Sequence, residues 1–248
     1  MRRSFFIGWD VGGWNCDSNA RSRDAIVILD EGLREVGTPW RGSLREDINA
    51  ATTSGEWAAR LFRLCGIEPP ADASITLAID TPLGFPEALL ALASGLQPAG
   101  PIGDSPSNPY LYRLTERLLF RGNRGPLSAV KDMIGSQATK GMHVLAKFAP
   151  RVERCGVWTD GAALRVIETY PAACRRGAAD SAALAALAPL RHGDLTDARV
   201  CALVAGLFAA TPEAFEDPPE AVPVREGWIW VPKPGKLEEL LTGMARRV

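Results

Sequence analysis

The sequence is poor in the residues that mark the commoner kinds of enzyme. Only two histidines, His143 and His192, occur in 248 residues, which leaves little material for a Ser-His or Cys-His nucleophilic pair. The five cysteines, Cys16, Cys65, Cys155, Cys174 and Cys201, are scattered without a Cys-x-x-Cys spacing. They read as reduced, small apolar residues rather than as disulfides or zinc ligands. There is no Gly-x-Ser-x-Gly elbow, no His-Glu-x-x-His and no Gly-x-Gly-x-x-Gly, and Gly135-Ser-Gln-Ala-Thr-Lys140 lacks the second glycine of a phosphate loop. The longest apolar runs, such as Val200 to Ala210, fall short of the ~20 residues that cross a bilayer. Met1-Arg2-Arg3 leads directly into a strand-like segment rather than an apolar leader. A cytoplasmic protein without membrane association is expected.

What is present is ordinary globular composition, 46% hydrophobic and 23% charged, enough for one sizeable core. We read residues 1–248 as a single domain. The net charge is −1, so the whole molecule does not attract nucleic acid, but the charge is unevenly placed. Between Arg113 and Arg154 there are nine Lys and Arg against three acids, a balance of +6 that leaves −7 for the remainder. A basic segment in an otherwise acidic chain can follow a phosphate backbone, and it can equally be a solvated helix face.

Alternation identifies the first strand. From Ser4 to Asp10, Phe5, Ile7 and Trp9 take one face and Phe6, Gly8 and Asp10 the other. A turn at Val11-Gly-Gly-Trp-Asn15 leads to a second strand, Ala25 to Leu29, and Glu31-Gly32 reverses it into a third, Leu33 to Gly37. A helix follows from Gly55 to Leu64, with Ser54 as N-cap and Gly66 beyond its end. The buried strand Ser74 to Asp80 again ends on aspartate. Pro86 opens a helix running to Ser94, and the Gly-, Pro- and Ser-rich stretch from Gly95 to Pro109 is a loop. Helical spacing recurs at Tyr110–Phe120 and Ser136–Phe148, joined by a Gly122–Gly125 turn. Together they form a basic helical insertion at about 95–155. Strands at Val157-Trp158 and Leu164–Tyr170, a helix from Ala172, a helix from Leu195 to Ala210, a strand Trp228–Val231 and a helix from Lys236 complete the chain. The order is an antiparallel meander, then parallel strands with crossover helices. It predicts an α/β mixed sheet with helices on both faces, the ribonuclease H-like arrangement with its insertion after the fourth strand.

Four acids stand where solubility does not require them: Asp10 and Asp80 at strand ends, Glu168 within an apolar strand, and Asp197 at the start of an apolar helix. Hard divalent cations take oxygen ligands, so carboxylates converging from separate elements suit Mg²⁺ or Mn²⁺. Each acid also has a plainer use. Asp10 and Asp80 can organise the turns that follow them, while Asp194 reads as an N-cap and Asp197 as a first-turn acid facing the helix dipole. His192 reads as a loop residue ahead of that cap. From Ala198 to Ala210 only Arg199 is charged, so the helix is buried nearly all round and Asp197 is carried toward the sheet.

The strings Ile7-Gly-Trp-Asp-Val-Gly-Gly13, Ala78-Ile-Asp-Thr-Pro-Leu-Gly-Phe-Pro86, Ile167-Glu-Thr-Tyr-Pro-Ala-Ala173, Asp194-Leu-Thr-Asp-Ala198 and Glu226-Gly-Trp-Ile-Trp-Val-Pro232 resemble the successive motifs of the uncharacterised domain family numbered 429. That family is described as predicted nucleases of ribonuclease H-like fold, and the resemblance extends from Ile7 to Pro232. The Asp194-x-x-Asp197-Ala198 string also looks like the final-helix acids of Holliday-junction resolvases. The resemblance implies Asp10, Asp80 and Asp197 as metal ligands with Asp194 accessory; Glu168, which matches the family motif, is counted with Asp10, Asp80 and Asp197 among the candidate catalytic acids, its particular role left open. The function it implies is a nuclease in which carboxylate-held metal activates water against a phosphodiester, with Arg113, Arg117 and Lys140 holding nucleic acid. A phosphotransferase or ATPase of the actin-like and sugar-kinase group would also begin with an Asp-x-Gly turn that cups phosphate, such as Asp10-Val-Gly12. No second glycine-rich loop or adenine-site motif accompanies it. A non-catalytic binding domain on the same fold is the third reading.

Overall fold

The computed structural model describes residues 2–119 and 125–245. A seven-stranded mixed sheet organises them. Strand β1 (Arg3–Asp10) pairs antiparallel with β2 (Asp24–Leu29), and β2 in turn with β3 (Trp40–Gly42). Helices α1 (Arg45–Ala50) and α2 (Ser54–Leu64) then cross to β4 (Ala73–Asp80), which lies parallel to β1 on its other side. Helix α3 (Glu87–Gly95), α4 (Leu114–Leu119) and α5 (Gly135–Phe148) precede β5 (Arg151–Arg154), β6 (Val157–Thr159) and β7 (Leu164–Glu168). These last three strands form a second antiparallel meander, docked by β7 in parallel on β4. The order across the sheet is β3-β2-β1-β4-β7-β6-β5. Helices α6 (Pro171–Cys174), α7 (Ala178–Ala185), α8 (Gly193–Ala210) and α9 (Lys236–Ala245) follow.

The alternation in β1 separates two cores as expected. Phe5, Ile7 and Trp9 join Leu77, Ile79, Trp57, Phe62, Val144 and Phe148 in the layer under α1, α2 and α5. Phe6 and Ala78 join Val27, Leu203, Phe208 and Trp230 in the layer under α8. Helix α8 is buried along nearly its whole length, because it lies across β1, β2 and β4. Gly8 permits that approach: a Cβ there would stand 1.8 Å from the Ala198 carbonyl oxygen and 2.4 Å from the Ala202 nitrogen.

The structure moves several expected elements. The third strand is Trp40–Gly42 rather than Leu33–Gly37, of which one isolated bridge, Leu29 to Glu35, remains. Leu33 itself takes φ +59° in the reversal, a conformation that ends pairing. Trp228–Val231 likewise contributes a single bridge, Ile229 to Glu168. Residues 151–154, included in the expected insertion, belong to the sheet as β5; all four are exposed, so no apolar alternation marked them. The helix before the insertion loop is Glu87–Gly95, capped by Pro86. Of the Gly122–Gly125 turn, residues 122–124 lie outside the described residues, as does Phe120. Thr53, not Ser54, caps α2 by accepting from the Glu56 N–H. His192, not Asp194, caps α8. Among the described residues no helix is long and apolar enough to cross a membrane, and the five cysteines are free thiols.

The close seating of α8 on β1 leaves no room for a side chain at Gly8. Gly8→Ala would force backbone apart rather than displace a flexible side chain. We expect a loss of about 3 kcal/mol or more, the upper range for overpacking a filled core, measured by chemical denaturation. A variant within 1 kcal/mol of the parent would show that this contact is looser than described.

Candidate active site

Asp10 and Asp80 are register partners across the parallel β1–β4 pair, and neighbouring strands lie ~4.8 Å apart. Both side chains point to the α8 face, because both fall on the alternation shared by Phe6, Gly8 and Ala78. Asp194 and Asp197 reach the same region from the first turns of α8. Asp10, Asp80 and Asp194 line one cleft, whereas Asp197, about a third exposed, acts on Asp10 and Asp80 through its charge and is not among the lining residues.

They differ in how their charge is met. Arg41 Nε donates to Asp194 at 2.8 Å, and Arg175 pairs with Asp197. Among the described residues, neither Asp10 nor Asp80 has a cationic or hydrogen-bonding partner for its side chain. Burial, reinforced by Asp80, Asp194, Asp197 and Asp24, pushes the Asp10 carboxyl up to about 9. Burial, then Asp197 and Glu168, pushes Asp80 up to about 8, with Arg175 opposing. Two adjacent carboxyls that cannot both ionise in isolation are the dominant electrostatic feature of the site.

Among the described residues, no group of three or more His, Cys, Asp or Glu side chains is gathered so as to hold a metal ion. The expected ligand set of Asp10, Asp80, Asp194 and Asp197 is thus split: the inner pair stands open while arginines hold the outer two.

Glu168 stands apart from these acids. It is buried, and its two oxygens receive Arg113 Nη2 at 2.6 Å and Nη1 at 2.8 Å, with the Leu83 N–H also donating at 2.9 Å. Arg113 further donates from Nε to Glu116 at 2.8 Å and from Nη1 to the Glu226 carbonyl at 2.8 Å. The Glu226 carboxylate in turn receives the Glu87 and Leu114 N–H groups. The hub joins β7, the turn after β4, the start of α4 and the Val224–Glu226 turn. With both oxygens engaged, Glu168 is a positioning group for the Asp80 turn.

The basic segment is also not as the sequence suggested. Arg113 and Lys140, expected to hold nucleic acid, are both 0% exposed. Lys140 lies in α5 and its ammonium pairs with Asp24 while donating to the Gly12 and Gly13 carbonyls. Arg117 is exposed, but it lines a depression with Pro106, Tyr112 and Leu118 rather than the carboxylate cleft. Lys131, Lys147 and Arg154 are engaged by Asp132, the Ile48 carbonyl and Asp217. Arg121 and Arg124 lie outside the described residues. The +6 balance is therefore largely used within the fold.

Asp24, which sequence reasoning passed over, is wholly buried and saturated. It accepts from Trp9 Nε1, the Gly12 and Leu44 N–H groups and Lys140. An acid opening a strand as apolar as Ala25–Leu29 was a readable signal that a cation had to meet it.

The carboxylates open into a cleft of about 250 Å³ lined by Asp10, Asp80, Glu168 and Asp194, with Arg21, Arg23, Thr81, Gln137 and Tyr170 among its walls. A larger depression of about 460 Å³ near Trp228 and Cys174 holds Asp180, but that acid is committed to the Gly235 and Glu238 N–H groups at the start of α9. The carboxyls without a partner, Asp10 and Asp80, line the smaller cleft. Comparison of the chain with protein-family models, with curated proteins and with solved structures yields no match in any of the three.

Two measurements test this arrangement. A carboxyl whose folded pKa is raised above its ordinary value contributes stability that is complete below that value, 3.8, and is lost as pH rises toward the folded value of about 9 for Asp10. Without metal, thermal stability should fall across that window. Asp10→Asn should flatten the fall and raise Tm at pH 8 by about 2–4 °C, the equivalent of ~1 kcal/mol in a chain of this size. An unchanged slope would mean that Asp10 is solvated. Separately, Arg113→Ala strands Glu168 and Glu116 in the interior and should cost about 3–5 kcal/mol; a loss under 1 kcal/mol in denaturant melts would remove the hub from the account.

Proposed function

We propose that this chain is a metal-dependent phosphodiesterase, a nuclease of ribonuclease H-like fold, with Asp10 and Asp80 as its principal Mg²⁺ or Mn²⁺ ligands. The observation that carries the reading is the side-by-side placement of two partly buried carboxyls without a countercharge at the carboxyl ends of parallel strands, opening into a cleft. Their donor chemistry fits a hard divalent cation, and the missing positive charge is what such an ion brings. Asp197 would complete the set by releasing Arg175, and Asp194 would stay on Arg41 as an accessory. When bound, the ion would supply Lewis-acid activation of water and stabilisation of the leaving oxygen. The chain's own work is to hold Asp10 and Asp80 in register, to fix the turns that follow them through Lys140 and Glu168, and to keep the two carboxyls poorly solvated. The motif resemblance over Ile7–Pro232 supports the same reading. Nucleic acid is the proposed partner.

The phosphotransferase alternative is less well supported. It needs the N–H groups after Asp10 to cup phosphate, yet the Gly12 N–H donates to Asp24 and the Trp14 N–H to Ser136 Oγ.

Calorimetric Mn²⁺ titration paired with thermal melts tests the proposal. At 100 times Kd, binding should stabilise the native chain by ~2.7 kcal/mol, raising Tm by about 5–10 °C. Asp80→Asn should abolish that rise while leaving the metal-free melt unchanged or higher. If Asp80 merely organises the turn before Pro82, the variant should instead lose roughly 1 kcal/mol and keep its response to Mn²⁺, and the proposal would be wrong.

A further inference from the structure

The lining of the carboxylate cleft includes two arginines, Arg21 and Arg23. Among the described residues neither guanidinium has an ion pair or hydrogen bond, and the Arg23 Nε is buried with no partner at all. This is unlike the other arginines around the site: Arg41, Arg113 and Arg175 each meet a carboxylate. Arg23 is also held in place. Its backbone sits where a Cβ on Gly12 would stand, 2.6 Å from the Arg23 carbonyl carbon, and the next residue, Asp24, is the saturated acid that anchors β2. The guanidinium is thus carried on fixed backbone directly beside the turn that follows Asp10.

A second feature points to the same ligand. Thr81, which lines the cleft immediately after Asp80, is 4% exposed, and its Oγ1 is buried without a hydrogen-bond partner. Its methyl packs toward Gly141 of α5, so the rotamer is set by packing and leaves the hydroxyl unsatisfied. Buried hydroxyls and guanidinium N–H groups are nearly always paired. Both residues line the cleft, and an acceptor-rich ligand entering it would offer partners to donors that the fold leaves unmet. The rest of the lining mixes polar Gln137, Thr169 and Tyr170 with apolar Pro126, Leu127, Ile134 and Ile229, and Leu127 is half exposed.

We propose that Arg21, Arg23 and Thr81 form the recognition site for the phosphate of a single nucleotide unit, whose base lies against the Leu127–Ile134 wall. The chemistry is fork-like: a guanidinium offers parallel N–H donors matched to phosphate oxygens, and a hydroxyl adds a further donor. A cleft of about 250 Å³ lies just below the ~300–1,000 Å³ of drug-sized ligand sites, so the proposed occupant is a single nucleotide unit rather than a duplex. The inference deepens the reading given above, in which the substrate is a phosphodiester, and moves its recognition from the basic segment to the β1–β2 connection.

The test is direct binding, by calorimetry at pH 7, of a 5′-nucleoside monophosphate and of a short single-stranded oligonucleotide, each in EDTA and in Mn²⁺. Parent protein is compared with Arg21→Gln, Arg23→Gln, the double variant, Thr81→Val, and Arg63→Gln on the exposed face of α2. Arg23→Gln should weaken nucleotide binding by about tenfold, the scale of one lost charge-assisted hydrogen bond; the double variant should lose binding altogether, and Arg63→Gln should match the parent. Arg21 is on the surface, so Arg21→Gln guards against an Arg23 variant that fails to fold. Mn²⁺ affinity should be unchanged in the arginine variants. Arginine-dependent nucleotide binding in a protein that binds no Mn²⁺ would uphold this inference and remove the metal reading. Mn²⁺ binding with nucleotide affinity within twofold of the parent in the double variant would do the reverse. Tighter binding of the oligonucleotide would identify a strand as the source of the phosphate, and equal affinity a free nucleotide; both uphold the assignment. No binding of either probe to the parent overturns it.

Discussion

A guanidinium withdrawn from water demands acceptors on every side, and in this protein that demand fixes the ground on which the site is built. Arg113 meets it with the Glu168 carboxylate, the Glu116 carboxylate and the Glu226 carbonyl, which come from β7, α4 and a turn more than a hundred residues away. Removing any one would leave guanidinium N–H donors unpaired in the interior, so the three segments are bound to a common geometry. The Leu83 N–H, pinned to Glu168, passes that geometry to the turn after Asp80. Lys140 does the same work for the other strand. Its ammonium holds Asp24 and the Gly12 and Gly13 carbonyls, and so the turn after Asp10. Each central aspartate is therefore followed by a turn fastened to a buried ion pair, and both cations come from the basic segment between β4 and β5.

This explains why so little of the segment's charge faces solvent, and it changes what its composition means. Buried cations are costly unless paired, and here Glu116 of the same segment is joined by Glu168 and Asp24 from elsewhere in the chain. The distribution is selective. Arginines cover Asp194 and Asp197, lysine covers Asp24, and arginine covers Glu168, while Asp10 and Asp80 receive none. A fold that supplies a cation to each surrounding acid and leaves its two innermost strand-end carboxyls bare concentrates unmet oxygen ligands at one point.

Much of the frame was legible in the residues. The alternation Phe5, Ile7, Trp9 against Phe6, Gly8, Asp10 placed Asp10 on the α8 face, and the strand ending at Asp80 set the second acid beside it. The near-absence of charge in Ala198–Ala210 foretold a buried helix. What could not be read was long-range pairing. Nothing local separates a buried Lys140 from an exposed one, because its partner lies 116 positions earlier. Arg151–Arg154 has no apolar alternation to reveal a strand, since β5 is an exposed edge whose pairing is supplied by β6. The placement of β3 depended on Leu33 taking a left-handed backbone, which the Glu31-Gly32 signal did not convey. Arg21 and Arg23 were not legible as site residues, because a sequence displays the density of positive charge and not its freedom from partners.

The bare pair raises the question of whether the fold already supplies enough positive potential to ionise it. The first turn of α8 carries Asp194 close to the site, and the positive end of its dipole contributes about 0.3–1 kcal/mol to a nearby anion. Two unit charges ~5 Å apart at an effective dielectric of about 20 repel by roughly 3 kcal/mol, before any cost of burial and before the other acids are counted. The dipole loses that comparison. Arg175, the one cation that lowers Asp80, is shared with Asp197 and does not reverse the outcome. At neutral pH, below the values of about 9 and 8 to which Asp10 and Asp80 are pushed, the pair therefore holds protons unless a stronger positive charge displaces them. Occupation of the site by a cation and release of protons to solvent are then one event, and affinity for the ion must rise with pH across the neutral range.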